Sequence, residues 1–463
     1  MLIFATTLVI YFFCLNGVWA VDHATSFLQL DYAIWTHHSF VLGSGSSFKP
    51  DSVDDFEYKG NYYSALAPGT AILAFPMVSI GFILDGHFTV FGYATLFSEF
   101  FVAMMNSFAA VLVYLTARLF FAKRTSALLG FAYAFSTISW PFATYFFQSD
   151  VSATFCLLAA YLGLRSVRGK DGHMLYAVLA GLSVATAMLV DYIDAVFLMI
   201  LPVYITLELR RRKEPFVKPV VGFLLTACLG LLLVGAYNYV NFGSPFSGTE
   251  QLYLHASSVF DEFSYPLYLG AYLNLFSPFR GLLVYSVFLV LGVFGFYEMV
   301  RDSAYRLEAL LFLACFLGIF IPYSMWYDPT GGEGFGPRFL VAAIPFLVLP
   351  AGITIERGDR KLVVIAYALY AVGAVINGIA GLTSAVTPML RYGMSGFLSW
   401  TLPLFLRGGG DTWWMRYVSG DWEVPSVVII TAALVIPVIA DRMLLRKQRP
   451  PTHPTLDERA TNQ

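Results

Sequence analysis

The chain has 463 residues, of which 58% are hydrophobic and 13% are charged, with a formal net charge of −2 and a mean hydropathy of +0.69. Soluble domains carry about 25% charged residues, so this composition excludes a soluble globular protein and indicates an integral membrane protein. The sequence contains no basic stripe interleaved with aromatic residues, which argues against a nucleic-acid partner. The four cysteines lie inside apolar runs without CxxC spacing, and we interpret them as small buried side chains.

Twelve apolar runs are long enough to cross a bilayer core about 30 Å thick. They lie near residues 1–21, 90–120, 125–140, 150–164, 174–190, 193–208, 219–237, 281–300, 307–324, 338–355, 362–385 and 424–440. The first run can be a signal peptide or an anchor, and we favour an uncleaved span because no Lys or Arg precedes its apolar core. We therefore predict an all-α polytopic membrane protein with about 12 transmembrane helices in a single domain over residues 1–440.

Residues 68–84 decide the orientation of the later spans, because this run is apolar but short and contains Pro68 and Pro76. If it lies along the membrane surface, six basic clusters share the side of the N-terminus, as the positive-inside rule requires. These clusters lie near residues 123–124, 165–170, 210–213, 301–306, 357–361 and 446–449. We predict a juxtamembrane helix over 68–84, two cytoplasmic termini and a disordered cytoplasmic tail over 441–463. The long first connection, 22–89, then lies on the extracytoplasmic face.

The first connection begins with Asp22, where the chain leaves the bilayer. On a helix, Asp22, Ser26 and Gln29 follow i, i+4, i+7 spacing and share one polar face. Partial desolvation would raise the pKa of Asp22 toward the working range of a general base. A helix cap at the end of the span is the alternative interpretation.

A second acidic group follows at residues 51–57 and includes Asp54 and Asp55, with Lys59, Tyr62 and Tyr63 close behind. Carboxylates accept hydrogen bonds from sugar hydroxyls, and aromatic faces pack against the C–H side of a sugar ring. A solvated acidic loop is the alternative. His23, His37 and His38 could join these acids around a divalent cation, but their spacing is not diagnostic, so we predict no metal and no other cofactor.

Two arginines stand at the predicted outer membrane boundary. Arg280 lies in FSPFRGLLVYS, and Arg338 follows the glycine-rich stretch GGEGFG, which contains Glu333. Either side chain can be a snorkelling anchor. A reaction that expels a phosphate also needs fixed positive charge, and arginine binds phosphate with two parallel N–H groups. We therefore predict that Arg338, Arg280, Lys59, Tyr62, Tyr63 and Glu333 bind the substrate or its phosphate.

Several stretches together resemble the GT-C superfamily of polytopic glycosyltransferases, in particular the branch of protein O-mannosyltransferases and aminoarabinose transferases. These stretches are Asp22 after the first span, Gly60 to Pro76, Tyr237 to Pro245, Ser277 to Ser286 and Trp326 to Arg338. The resemblance implies a polyprenyl-phosphate sugar donor and a base just after the first span, here Asp22. Many relatives have two adjacent acids there, whereas this chain has His23 beside Asp22, so Asp54 or Asp55 can supply the second acid.

The sequence thus predicts a membrane glycosyltransferase that works on the extracytoplasmic side, in contact with membrane lipids and a lipid-linked donor. Its acceptor, whether protein, lipid or glycan, and its sugar are not specified by the sequence. A twelve-span secondary transporter is one alternative, although transporters place ionisable groups near the bilayer midplane. A non-catalytic lipid-binding or assembly subunit is another.

Overall fold

A computed structural model describes residues 1–16, 21–45, 48–168, 173–384, 386–388, 394–410, 412–414 and 423–447. Within them the α-helices, numbered α1 to α20, are Leu2–Cys14, Asp22–His37, Gly69–Asp85, Tyr93–Ala117, Lys123–Phe135, Ser139–Phe142, Gln148–Ser166, His173–Val190, Phe197–Arg211, Val217–Phe242, Thr249–Tyr253, Leu267–Leu275, Leu282–Tyr285, Val290–Arg301, Arg306–Met325, Ile344–Val348, Ala351–Arg357, Arg360–Thr383, Leu402–Leu406 and Glu423–Lys447. Short 3₁₀ helices are Tyr192–Val196, Val259–Glu262, Val287–Leu289 and Arg338–Ala343, and a π-helical turn is Phe397–Thr401.

In the described residues each predicted span contains one helix or consecutive helices, because a bilayer forces the backbone of a crossing segment to satisfy its own hydrogen bonds. Seven helical segments of the described chain are long and apolar enough to cross a membrane: Tyr93–Ala117, His173–Val190, Tyr192–Arg211, Val217–Phe242, Arg306–Met325, Arg338–Arg357 and Arg360–Thr383. The protein is therefore a multi-pass helical membrane protein. The count of twelve crossing helices stays a prediction.

The segment predicted to lie along the membrane, 68–84, forms α3, which packs against α2, α4 and α8. Its first residue, Gly69, lies against the backbone of Leu189 at the end of α8, and Gly81 lies against the backbone of Ala94 at the start of α4. A Cβ at either glycine would come within 2.4 Å of that backbone, so glycine permits both close contacts. Whether α3 lies along the membrane or crosses it stays a prediction.

The first connection contains a small antiparallel sheet that the all-α prediction did not include. Its strands are β1 (Gly43–Ser44), β2 (Asp55–Tyr58) and β3 (Asn61–Ser64), in the order β1-β3-β2. The β2–β3 hairpin turns through Lys59 and Gly60, which both have positive φ, 51° and 81°. Two positive φ values are what a tight two-residue hairpin turn requires, although Lys-Gly is a weaker sequence signal than Asn-Gly.

One end of the helix bundle, here called the basic end, gathers the connections around residues 118–125, 165–168, 208–214, 301–308 and 356–361. Arg168 joins two of them, because it donates to the carbonyl of Leu119 at 2.7 Å and to Glu308 at 3.0 Å. Further contacts between these connections are His173 with Glu214 at 2.7 Å, Thr125 with Glu356, and Arg357 with Asp302. Five of the six predicted basic clusters therefore lie at one end of the molecule. The sixth, near 446–449, begins with the last two residues of α20, a helix that runs seven residues into the predicted tail; residues 448–463 lie outside the described residues.

Candidate active site

A cavity of about 410 Å³ opens at the end of the bundle opposite the basic end. Its walls come from the start of α2, the loops around β2 and β3, the starts of α7 and of the helix at Tyr192, the loop after α10, and the loop between α15 and Arg338. The lining residues are His23, Asp54, Ala65, Leu66, Ala67, Gln148, Val190, Asp191, Tyr192, Ile193, Gly248, Glu250, Tyr253, Glu262, Phe263, Tyr323, Trp326, Tyr327, Asp328, Gly331, Gly332, Arg338 and Phe339. All belong to connections or helix ends that the sequence places on the face away from the basic clusters.

His23 and Asp54 form a hydrogen-bonded pair in one wall of the cavity. Nδ1 of His23 lies 2.5 Å from Oδ2 of Asp54, and their side chains are 11% and 19% exposed. Burial and the positive charge of Arg338 lower the pKa of His23, against the opposing effect of Asp54. Burial alone would raise the pKa of Asp54, but His23 and Arg338 hold it below its ordinary value. At neutral pH the imidazole is therefore neutral and the carboxylate is ionised.

Arg338 supplies the positive charge of the cavity. Its guanidinium forms no hydrogen bond or ion pair with any residue that the structure describes, and its Nε is buried without a partner. The group lies over two rings, 5.4 Å from the centre of Phe147 and 5.0 Å from that of Phe339. Stacked on aromatic faces and free of a carboxylate partner, the guanidinium is oriented to bind an anion.

The glycine loop before Arg338 is shaped around that side chain. Gly331 has a φ of +69°, and a Cβ there would lie 3.1 Å from Cγ and Nε of Arg338. Asp328 fixes the loop because its carboxylate accepts hydrogen bonds from the backbone N–H of Thr330 at 3.1 Å and of Gly332 at 2.9 Å. An aspartate side chain that accepts a hydrogen bond from the backbone N–H two residues further on forms an Asx turn.

Arg280, predicted to bind phosphate, lies outside the cavity. It is 1% exposed and donates to the carbonyl of Gly332 at 2.7 Å and to Thr387 Oγ1 at 2.9 Å. Thr387 in turn donates to the carbonyl of Gly334 at 2.6 Å. The Arg280 guanidinium therefore fastens the glycine loop through Nη1 and Nη2, while its buried Nε has no hydrogen-bond partner among the described residues.

A second group of carboxylates lines the cavity and was not assigned a role from sequence. Burial and the charges of Glu262 and Asp54 raise the pKa of Glu250 to about 8, and burial raises that of Glu262 to about 7. Glu250 accepts a hydrogen bond from Tyr327 at 3.3 Å. Glu250 was missed because no second acid stands within ten residues of it in the sequence. The rings of Tyr253 and Trp326 complete this wall.

The polar face predicted on α2 exists, but it binds the acidic loop and not the cavity. The backbone N–H of Val53 donates to Asp22 at 3.2 Å, Ser26 donates to Asp55 at 2.6 Å, and Gln29 donates to Asp51 at 3.1 Å. Asp22 is exposed and is not among the residues that line the cavity. Its neighbour His23 takes that place.

Of the other predicted acids, Asp55 faces the space between α2 and the hairpin. Burial raises the pKa of Asp55 to about 7, although the hydrogen bond from Ser26 lowers it. Glu333 is exposed on the glycine loop and does not line the cavity.

The remaining predicted ligands belong to the hairpin. Lys59 is exposed at its turn and lies over the ring of Tyr58. Tyr62 donates to Glu57 at 3.4 Å, and Tyr63 is buried against Phe242. These three residues shape the hairpin and are outside the cavity.

The histidines considered as metal ligands do not converge. His23 and His37 stand at opposite ends of α2, and 14 residues of helix separate them by about 21 Å. Among the described residues there is no group of three or more His, Cys, Asp or Glu side chains placed to hold a metal ion.

The chain has the polytopic helical fold of the GT-C glycosyltransferases, as its resemblance to that superfamily implied. Among solved structures, it is similar to ArnT, the aminoarabinose transferase, from Cupriavidus metallidurans bound to undecaprenyl phosphate. The TM-score is 0.57 at 14% sequence identity, and the match covers 95% of this chain and 76% of ArnT.

It is also similar to the archaeal oligosaccharyltransferase AglB from Archaeoglobus fulgidus in complex with an inhibitory peptide and a dolichol-phosphate. That TM-score is 0.50 at 14% identity, and the match covers 92% of this chain and 59% of AglB. Comparison with family models and with curated protein sequences gives no match. At these identities the similarity establishes the fold.

Proposed function

We propose that the protein is a membrane glycosyltransferase that moves a sugar from a polyprenyl-phosphate donor to an acceptor hydroxyl on the extracytoplasmic side. The observation that carries this proposal is the cavity shared by an ionised carboxylate, Asp54, and the guanidinium of Arg338, which has no ion-pair partner among the described residues. A glycosyl transfer from a phosphate donor needs both charges, because the acceptor loses a proton while the leaving group gains negative charge.

Arg338 binds the donor phosphate in this mechanism. Its guanidinium has no carboxylate among the described residues to displace, so a phosphate would gain the full charge-assisted interaction. As the bond between the anomeric carbon and the phosphate oxygen breaks, charge accumulates on that oxygen, and a fixed cation stabilises this state more than the ground state. The prenyl chain then lies against apolar helices of the bundle.

Asp54, and not Asp22, is the carboxylate on which activation of the acceptor depends. The resemblance to GT-C enzymes implies Asp22, yet Asp22 is exposed and bonded to the backbone of Val53, while Asp54 lines the cavity. The role expected of the acid after the first span thus moves to a carboxylate of the next loop. Asp55, bonded to Ser26, supports that loop from behind.

The remaining walls suit a sugar. Glu250, Glu262 and Asp328 offer oxygens to ring hydroxyls, and the faces of Trp326 and Tyr327 offer flat apolar contacts. A cavity of about 410 Å³ is large enough for a sugar phosphate head group, since ligand pockets begin near 300 Å³. Its position opposite the basic end supports an extracytoplasmic site, because basic connections remain in the cytoplasm.

The test is transfer by the purified protein in proteoliposomes, supplied with a labelled polyprenyl-phosphate sugar and envelope material from a deletion strain as acceptor. We expect Asp54→Asn to lower the rate by about 10²- to 10⁴-fold, the range for loss of general acid–base catalysis. Asp22→Asn is the matched control and should stay within about threefold of the wild-type rate, because exposed substitutions change little. Loss of transfer in Asp22→Asn with normal transfer in Asp54→Asn would return the role to Asp22.

A further inference from the structure

The imidazole of His23 presents a second nitrogen that the protein does not use. Nδ1 is hydrogen-bonded to Asp54, whereas Nε2 forms no hydrogen bond with any residue in the described part of the chain. The ring lines the cavity and is held by two aromatic neighbours, with ring centres 6.4 Å away for Phe27 and 5.7 Å away for Phe147. The ring therefore has a fixed orientation and one unoccupied hydrogen-bonding atom.

The partner on one side of the ring fixes the tautomer. An ionised carboxylate can only accept hydrogen bonds, so the proton of a neutral imidazole must sit on Nδ1, where Asp54 lies 2.5 Å away. A neutral imidazole has one N–H group, and Nε2 then carries a lone pair. A histidine held in this way by a carboxylate is an oriented proton acceptor.

The alternative is direct proton transfer to Asp54. His23 and Arg338 hold the pKa of Asp54 below its ordinary value, and a carboxylate that binds protons so weakly is a poor base near neutral pH. The pKa of His23 is also lowered, but from 6.5 rather than from 3.8. The geometry also favours the imidazole as the acceptor, because Nε2 belongs to a ring that lines the cavity, whereas one oxygen of Asp54 is already bonded to Nδ1.

We propose that Nε2 of His23 receives the proton of the acceptor hydroxyl, and that Asp54 holds the imidazole in the required tautomer and orientation. This inference rests on the proposed function and names the atom that carries the proton. The resemblance to GT-C enzymes implied two adjacent acids after the first span. In this chain Asp22 occupies the first of these positions and His23 the second, so the proposal gives the base role to a histidine where an acid was expected.

The proposed step balances in atoms and charge. The acceptor O–H bond breaks and its proton goes to Nε2, while the oxygen forms a new bond to the anomeric carbon. The bond from that carbon to the phosphate oxygen breaks, and its electron pair leaves with the polyprenyl phosphate beside Arg338. His23 becomes an imidazolium next to ionised Asp54, and loses the proton to water after the products leave.

The charged groups that face His23 are Asp54 from the loop before β2, Arg338 from the glycine loop, and Asp22 from α2 itself. Burial and Arg338 lower the pKa of His23 from its ordinary value of 6.5, so the protonated form becomes the major one only at a pH below that value. Because that form cannot accept a proton, transfer should fall as the pH drops below this value. The acid side of the kcat/KM profile then reports on His23.

The experiment compares wild type, His23→Gln and His23→Gly in the same transfer assay, with kcat, donor KM and pH profile measured for each. A glutamine can still donate a hydrogen bond to Asp54 but cannot accept a proton, so it separates positioning from catalysis. We expect His23→Gln to lose about 10²- to 10⁴-fold in kcat with little change in donor KM. We also expect the kcat/KM profile of His23→Gln to lose its decrease on the acid side.

His23→Gly leaves space for a free imidazole, which should restore part of its rate in proportion to the unprotonated imidazole added. Wild-type transfer by His23→Gln, or loss in His23→Gly that imidazole does not restore while the protein stays folded, would overturn the assignment. Failure of the proposed function looks different, because wild type itself would then release no polyprenyl phosphate from the donor.

Discussion

The two ends of the helix bundle contain the same types of charged side chain, but these are paired at one end and face a cavity at the other. At the basic end, buried acids are paired: Glu208 contacts Arg211 at 2.9 Å and Arg212 at 2.7 Å, and Glu308 contacts Arg168 at 3.0 Å. At the cavity end, Arg338 has no ion-pair partner among the described residues. A charge that is buried and paired stabilises one arrangement of helices, whereas a charge that faces a cavity unpaired is available to a ligand.

Among the substitutions that compare the two ends, removal of the Arg338 charge should produce the largest effect. Arg338→Gln takes away the cation that the proposed mechanism places beside the departing phosphate, and loss of one such transition-state contact costs about 10²- to 10³-fold in kcat. Arg338→Lys keeps the charge but loses the two parallel N–H groups of the guanidinium, so its kcat should lie between those of Arg338→Gln and wild type. Rates of polyprenyl phosphate release measure the effect, and an Arg338→Gln enzyme with wild-type kcat would mean that the unpaired cation has another purpose.

Breaking a pair at the other end should affect folding instead of transfer. Arg168→Met leaves the 2%-exposed carboxylate of Glu308 without its cation, and removal of one partner of a buried pair costs about 3 kcal/mol or more. The midpoint of thermal unfolding in detergent should fall, while the transfer rate per folded molecule stays near wild type. Arg357→Met, at an exposed pair with Asp302, is the control and should shift the midpoint far less.

A substitution next to Arg338 tests whether the loop positions this cation. Gly331→Ala places a methyl group 3.1 Å from the Arg338 side chain at a φ of +69°, so the loop or the arginine must move. A non-glycine residue in this backbone region costs about 1–2 kcal/mol. We expect a donor KM raised by about tenfold, which corresponds to 1.4 kcal/mol of lost binding. Gly332→Ala is the control, since a Cβ there would meet no atom within 4 Å although its φ is also positive. Equal donor KM values for the two variants would exclude displacement of Arg338 as the cause.

The raised pKa of Glu250 predicts how stability changes with pH. The folded protein keeps this carboxyl protonated up to about pH 8, whereas in the unfolded chain it ionises near 4.5. The folded state therefore binds more protons between these values, and the free energy of unfolding should fall as the pH rises through them. Glu250→Gln should flatten this dependence, as read from unfolding midpoints at pH 5 and pH 9. The exposed Glu57→Gln should leave it as in wild type, and a slope unchanged by Glu250→Gln would show that the carboxyl is already ionised in the fold.

The smallest effect is expected at Lys59, whose charge is exposed at the hairpin turn and outside the cavity. Lys59→Ala should change the transfer rate by less than about twofold, because surface substitutions of this kind are close to neutral. The result compares two positive charges that lack an acidic partner among the described residues: Lys59, which lies in solvent, and Arg338, which lies in the cavity. A large loss of transfer in Lys59→Ala would show that the β2–β3 hairpin belongs to the functional site.

The helices were predictable because the physics that forms them is local. Runs of about 20 apolar residues become helices wherever a bilayer removes water from the backbone. Charge asymmetry between the connections likewise placed five basic clusters at one end. The hairpin was missed, since four-residue strands give a short alternation and its Lys-Gly turn is a weak signal.

The cavity could be predicted only in part, because it depends on which distant segments meet. Arg280 and Arg338 have equivalent positions in the sequence, each at the start of an apolar run. Only the structure shows that Thr387, 107 residues from Arg280, uses one donor group of that arginine. For the same reason the sequence could rank Asp22, Asp54 and Asp55 only by resemblance, and it left His23 as a neighbour of Asp22.

The most direct test of the account is an experimental structure of the protein with bound polyprenyl phosphate. The account predicts that the phosphate lies in the cavity within hydrogen-bonding distance of the Arg338 guanidinium, with Nε2 of His23 facing the side from which an acceptor would approach. A phosphate bound at the basic end, or at Arg280 with the Arg338 cavity empty, would contradict it.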